Sequence, residues 1–122
     1  MTLLANILVA FVALQHVGFL VLEMFLWTTP PGLRTFAMTP EQATATAVLA
    51  ANQGLYNGFL AAGLVWGLLS GRKGLPTKVF FLACVIVAGV FGACTAKASI
   101  LFVQGVPAML ALTAVVLTRE RR

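Results

Sequence analysis

The polar positions along this chain fall between four long apolar runs. The first run, Leu3 to Trp27, carries only Asn6, Gln15, His16 and Glu23 as strongly polar side chains. At 1.5 Å per residue, about 25 residues cross a bilayer with some tilt, and Trp27 suits the outer interface. Pro30-Pro31-Gly32 then breaks the helix sharply. Thr39-Pro40-Glu41 reads as a new start, with Thr39 as N-cap, Pro40 in the first position and Glu41 in the first turn. The second helix therefore begins near Pro40 and contains a span over 43–69. Ser70-Gly71-Arg72-Lys73-Gly74-Leu75-Pro76 is a tight basic turn. A third span is predicted over 77–96, with a packing face of Gly89, Gly92, Ala93 and Ala96. A fourth covers 99–118, where Pro107 is expected to kink the helix and free the Val103 carbonyl beside Gln104. The pattern predicts an all-α integral membrane four-helix bundle, a single domain over 1–122.

One interruption stands out. Asn52-Gln53-Gly54-Leu55-Tyr56-Asn57-Gly58-Phe59 sets three amides and a phenol inside the second span. At about 100° per residue, Asn52, Gln53, Tyr56 and Asn57 fall within an arc of roughly 140°. Gly54 and Gly58 lie on the other side with Ala47, Ala51 and Ala61, as a small-residue stripe for close helix approach. Uncompensated amides in hydrocarbon each cost several kcal/mol, so the polar arc is expected to face protein, ligand or water.

Composition agrees with the pattern. Hydrophobic residues make up 61% and charged residues 9%, against about 25% charged in soluble domains. The mean hydropathy is +1.01. The formal charge of +5 does not point to nucleic acid, because no basic patch interleaved with aromatics exists. Arg72, Lys73, Lys78, Arg119, Arg121 and Arg122 share one side of a four-span topology, leaving Arg34 and Lys97 on the other. That bias predicts both termini in the cytoplasm. Cys84 and Cys94 are ten residues apart on one helix, roughly 15 Å in rise, beyond disulfide reach. One histidine and no thiolate at ligand spacing give no metal site, and no cofactor motif occurs.

Depth ties the polar residues together. Counted from the outer loop, Glu23 lies roughly 6–8 Å inside and His16 about 10 Å deeper, on nearly the same face. Asn52 to Asn57 fall in a similar band, and Lys97 and Gln104 in the outer half of the other hairpin. The set His16, Glu23, Asn52, Gln53, Tyr56, Asn57, Lys97 and Gln104 is thus expected to line or adjoin one pocket open to the outer face. A through-pore would need polar lining on the inner half, where only Asn6 and Ser70 stand. The structural counterpart of each residue is plain. Glu23 can pair with Lys97, His16 can bond an asparagine, and each amide can be interhelical glue of about 0.6 kcal/mol.

The segments His16-x-x-Phe19-x-x-Leu22-Glu23-Met24-x-x-Trp27, Ala51-Asn52-Gln53-Gly54-Leu55-Tyr56-Asn57-Gly58-Phe59-Leu60-Ala61 and Ala88-Gly89-x-x-Gly92-Ala93 carry a resemblance. The chain resembles, over essentially its whole length, the uncharacterised bacterial membrane family known as domain of unknown function 1304. The resemblance implies a small four-span protein of the bacterial inner membrane and no established activity. Some members of that family bear the label of epimerase, yet no Gly-x-Gly-x-x-Gly fingerprint occurs here. Three functions fit the residues. The first is binding or transport of a small polar or amphipathic molecule, with the bilayer as surroundings and a second copy completing any transport pathway. The second is intramembrane acid–base chemistry on a lipid-like substrate, with His16 and Glu23 as acid and base and Asn52, Gln53 and Tyr56 polarising an oxygen. The third is an accessory subunit whose polar cluster is purely structural.

Overall fold

The computed structural model describes residues 2–120, without the Glu120 side chain. Met1 and two of the C-terminal basic residues, Arg121 and Arg122, lie outside the described residues. The described chain is helical throughout: α1 (Thr2–Met24), α2 (Pro30–Phe36), α3 (Pro40–Leu69), a 3-10 turn (Gly71–Gly74), α4 (Leu75–Thr95), a π turn (Leu101–Gly105) and α5 (Val106–Glu120).

Among the described residues, three stretches are long and apolar enough to cross a membrane: Thr2–Met24, Gly71–Thr95 and Leu101–Arg119, with mean hydropathies of 2.1, 2.1 and 2.0. The sequence pattern suggested four. At 30 residues α3 has ample length, but the amides at 52–57 dilute its apolar character, and on composition it does not join the other three. The chain is a helical, membrane-associated protein with three clear candidate spans.

Two compact units divide the residues: Met1–Leu14 with Leu60–Arg122, and Gln15–Phe59. Helices α1 and α3 each run from one unit into the other.

In the larger unit, Val9 and Val12 of α1, Leu64 of α3, and Leu82 and Val85 of α4 are completely buried. They form one core with Ala108 and Ala111 of α5. Small residues set the helix spacing. A Cβ on Gly89 would lie 3.0 Å from the Cα of Gly105, so α4 meets the π turn backbone to backbone. The π turn is the structure's answer to Pro107. That residue has no N–H for the Val103 carbonyl, and the wider turn just before it shifts the ladder, with Val106 N–H donating to the Leu101 carbonyl. The fourth predicted span is therefore a π turn followed by α5.

In the smaller unit, α1 ends at Met24, earlier than the predicted Trp27, and after a turn over 25–29 Pro30 and Pro31 begin the next helix. The first turn of a helix needs no N–H from them, so they open α2. Thr29 supports the corner by donating its hydroxyl to the Leu26 carbonyl at 2.7 Å. A side chain on Gly32 would run into the carbonyl oxygens of Leu26 and Trp27. α2 closes on Ala37, in the left-handed region at φ 51°, with Met38 N–H reaching back to the Leu33 carbonyl at 3.0 Å. α3 starts in a capping box: Gln42 N–H donates to Thr39 Oγ1 at 3.2 Å, and Thr39 N–H to Gln42 Oε1 at 2.9 Å.

Candidate functional site

The site is built within Gln15–Phe59, from the end of α1, helix α2 and the middle of α3. Gly54 brings α3 close to α1. A Cβ there would stand 2.7 Å from Met24 Cγ, 3.1 Å from Glu23 Cβ and 3.3 Å from the Leu20 carbonyl oxygen. Gly58 does the same one turn on, where a Cβ would meet Leu20 Cδ1 at 2.7 Å. This approach places Asn57 beside Glu23. Its Nδ2 donates to both carboxylate oxygens, at 3.3 and 3.2 Å. Asn57 is 4% exposed, and Glu23 is half-buried.

Beside the carboxylate is a shallow open pocket of about 350 Å³, with Ala50 and Gln53 of α3 among its lining. Trp27 and Phe36 form its aromatic wall, their ring centres 4.7 Å apart and their planes tilted by 45°. The Trp27 indole N–H donates to Thr46 Oγ1 at 3.0 Å, and that hydroxyl donates in turn to the Gln42 carbonyl at 2.8 Å. The tryptophan is thereby tied to α3 while its ring faces the pocket. The site thus combines a carboxylate with acceptor capacity to spare, since one amide occupies few of its roughly four lone-pair positions, and two aromatic faces.

The other residues singled out from the sequence are placed as follows. Gln53 is exposed at the pocket. His16 is completely buried and meets Phe19 edge-on, with ring centres 5.3 Å apart. It stands two turns from Glu23 along α1, about 10 Å in rise. Asn52 is exposed and donates to the Val48 carbonyl of its own helix at 3.0 Å. Tyr56 is 58% exposed and leans on Phe59, also on its own helix. Lys97 is exposed in the turn after α4, and Gln104 lies in the π turn, both in the larger unit. The structure therefore brings together Glu23, Asn57 and Gln53, and leaves Asn52 and Tyr56 on the outside of α3.

The sequence reading did not include Trp27, Phe36 and Thr46 in the site. The signal was the spacing of a tryptophan three residues before Pro30-Pro31: a helix starting there turns Phe36 back towards it. The polar arc on α3 was also drawn one position too wide. Asn57 sits at its edge, and burial assigns it to the side of Ala50, Gly54 and Ala61. Among the described residues, no group of three His, Cys, Asp or Glu is placed to hold a metal ion.

Comparison with known proteins agrees in one direction. The family model described as "Protein of unknown function (DUF1304)" matches residues 10–116. The uncharacterized protein YpaA of Lactococcus lactis subsp. lactis (strain IL1403) is similar, with 32% identity over 114 residues, 92% of this chain and 96% of that protein. No solved structure matches.

Proposed function

Because the chain belongs to the DUF1304 family, whose description assigns no activity, we propose that it is a four-helix integral membrane protein that binds a small amphipathic cation at Glu23. The observation that carries this reading is a half-buried carboxylate, held by a single amide, at a pocket walled by two aromatic rings. Carboxylate and aromatic face attract the same class of ligand, a compact organic cation with apolar substituents. Asn57 orients the carboxylate, Thr46 holds Trp27, and Gln53 stands at the pocket as an adaptable donor and acceptor. In this reading α3 crosses the membrane with the other three long helices, its amides at 53 and 57 turned to the site. Both termini lie in the cytoplasm of a bacterial inner membrane, as the bias of basic residues supports. A cation carried across, and not merely held, requires a second copy to complete the path.

The acid–base reading has less support, because a catalytic pair must reach one reacting atom within hydrogen-bond distance, and His16 and Glu23 stand two turns apart. The test is titration of the purified protein in neutral detergent with tetraphenylphosphonium, followed by quenching of tryptophan emission. Wild-type protein binds saturably, Glu23→Gln weakens binding about tenfold or more through loss of the charge, and Lys97→Gln leaves it unchanged. Equal binding by the wild type and Glu23→Gln refutes the proposal.

A further inference from the structure

A second cleft, wholly within the larger unit, opens where the N-terminal end of α1, the 3-10 turn, the start of α4 and the end of α5 come together. Its volume is about 350 Å³. Three cations from three different elements line it: Arg72 of the 3-10 turn, Lys78 of α4 and Arg119 of α5. Among the described residues, no acidic side chain lines it. Beneath them the walls are apolar, with Leu68, Leu75 and Val115 prominent.

Lys78 is fixed in place. A Cβ on Gly67 would lie 2.6 Å from Lys78 Cγ, so the glycine makes room for the lysine stem, and Nζ donates to Asn6 Oδ1 at 3.4 Å. Lys78 is half-buried, unlike Lys73 in the neighbouring turn, which is exposed and outside the cleft. Topology alone asks for basic residues near this end of the helices, but it does not ask that they converge on a cavity with an apolar floor. Arginine offers a planar fork matched to phosphate oxygens, and lysine a compact point charge.

We infer that this cleft binds the phosphate group of an anionic phospholipid. The phosphate lies among Arg72, Lys78 and Arg119, and the glycerol and first methylenes lie on Leu68, Leu75 and Val115. Basic pockets between membrane helices recognise lipid headgroups in this way.

The test uses the full chain in neutral detergent, with retained lipid counted by native mass spectrometry after addition of phosphatidylglycerol or phosphatidylcholine. Phosphatidylglycerol is retained in preference to phosphatidylcholine. Arg119→Gln and Lys78→Gln each weaken retention about fivefold, the effect of roughly one basic residue near an anionic headgroup, while Lys73→Gln, an equal loss of charge next to Arg72 in the chain but outside the cleft, changes it little. Should Lys78→Gln fail to fold, the exposed Arg119 still decides. Equal losses in Lys73→Gln and Arg119→Gln would show diffuse attraction and overturn the inference. So would equal retention of the two lipids, or displacement of the lipid by millimolar inorganic phosphate, which would mark a site for the free anion. Glu23→Gln leaves lipid retention unchanged, which keeps this test separate from the cation site.

Discussion

The closeness of α1 and α3 at Gly54 can be tested with one methyl group. In Gly54→Ala the new Cβ would stand 2.7 Å from Met24 Cγ, 3.1 Å from Glu23 Cβ and 3.3 Å from the Leu20 carbonyl oxygen. The methionine end can swing away, but Glu23 Cβ and the Leu20 carbonyl belong to the body of α1 and move only with the helix. Overpacking of this kind costs about 1–3 kcal/mol, and the better helix propensity of alanine returns about 1 kcal/mol. The net expectation runs from no change to a loss of about 2 kcal/mol, with melting falling by roughly 4 °C per kcal/mol lost. Gly18→Ala is the matched control: nothing lies within 4 Å of a Cβ there, so only the propensity gain remains and melting rises. Melting in detergent, followed by intrinsic fluorescence, reads both variants. If Gly54→Ala gains as much as Gly18→Ala, the new methyl meets nothing, the two helices are not in contact at Gly54 and the Glu23–Asn57 geometry falls with them.

Three further outcomes follow from the same unit. Ala37→Gly relieves the left-handed backbone at φ 51° and raises stability by about 1 kcal/mol, visible as a higher melting temperature; a lower one would mean the α2 turn is not closed this way. Thr46→Val removes the acceptor of the Trp27 indole, costs about 1 kcal/mol and, in a Trp66→Phe background, changes the Trp27 emission; an unchanged spectrum would count against that bond. Asn57→Leu strips Glu23 of its amide at a cost of about 1–3 kcal/mol, and in Glu23→Leu the same change costs much less, which a double-mutant cycle measures as coupling; additive effects would show that the two side chains do not interact.

Much of this was legible because the strongest signals are local. Thr39, Pro40 and Glu41 mark a helix start through capping chemistry that needs no tertiary contact, and α3 begins there. The glycines at 54 and 58 announced close packing, and α1 is what they pack on within their unit. Tertiary context decided the rest. A proline pair reads equally as the end of one helix or the start of the next; here α1 has already ended at Met24 and the pair opens α2, with Gly32 leaving room for the Leu26 and Trp27 carbonyls. Helical phase placed Asn57 in one arc with Asn52 and Tyr56, but an arc says nothing of where the neighbour's surface begins. That boundary falls between Tyr56 and Asn57. The basic cleft escaped because Asn6, the Arg72–Lys78 stretch and Arg119 are far apart in sequence, and the basic residues have a sufficient local explanation in topology.

The position of Asn57 bears on whether the Glu23 site exists for the fold or for a ligand. Along α3 the buried residues from Ala50 through Gly54, Asn57 and Ala61 to Leu64 are spaced by steps of four and three, the pattern of a packed helix seam. A single amide in such a seam is a known device for fixing register at some cost in stability. Register alone, however, is served as well by an uncharged partner, and glutamine at position 23 would satisfy the Asn57 amide without placing a charge in a membrane helix. A carboxylate within a membrane span carries a cost that an amide does not, even short of the bilayer centre. The added expense of the charge goes unexplained by packing, and it sits beside a pocket with an aromatic wall. The proposed cation would make glutamate, and not glutamine, the fitting residue at position 23.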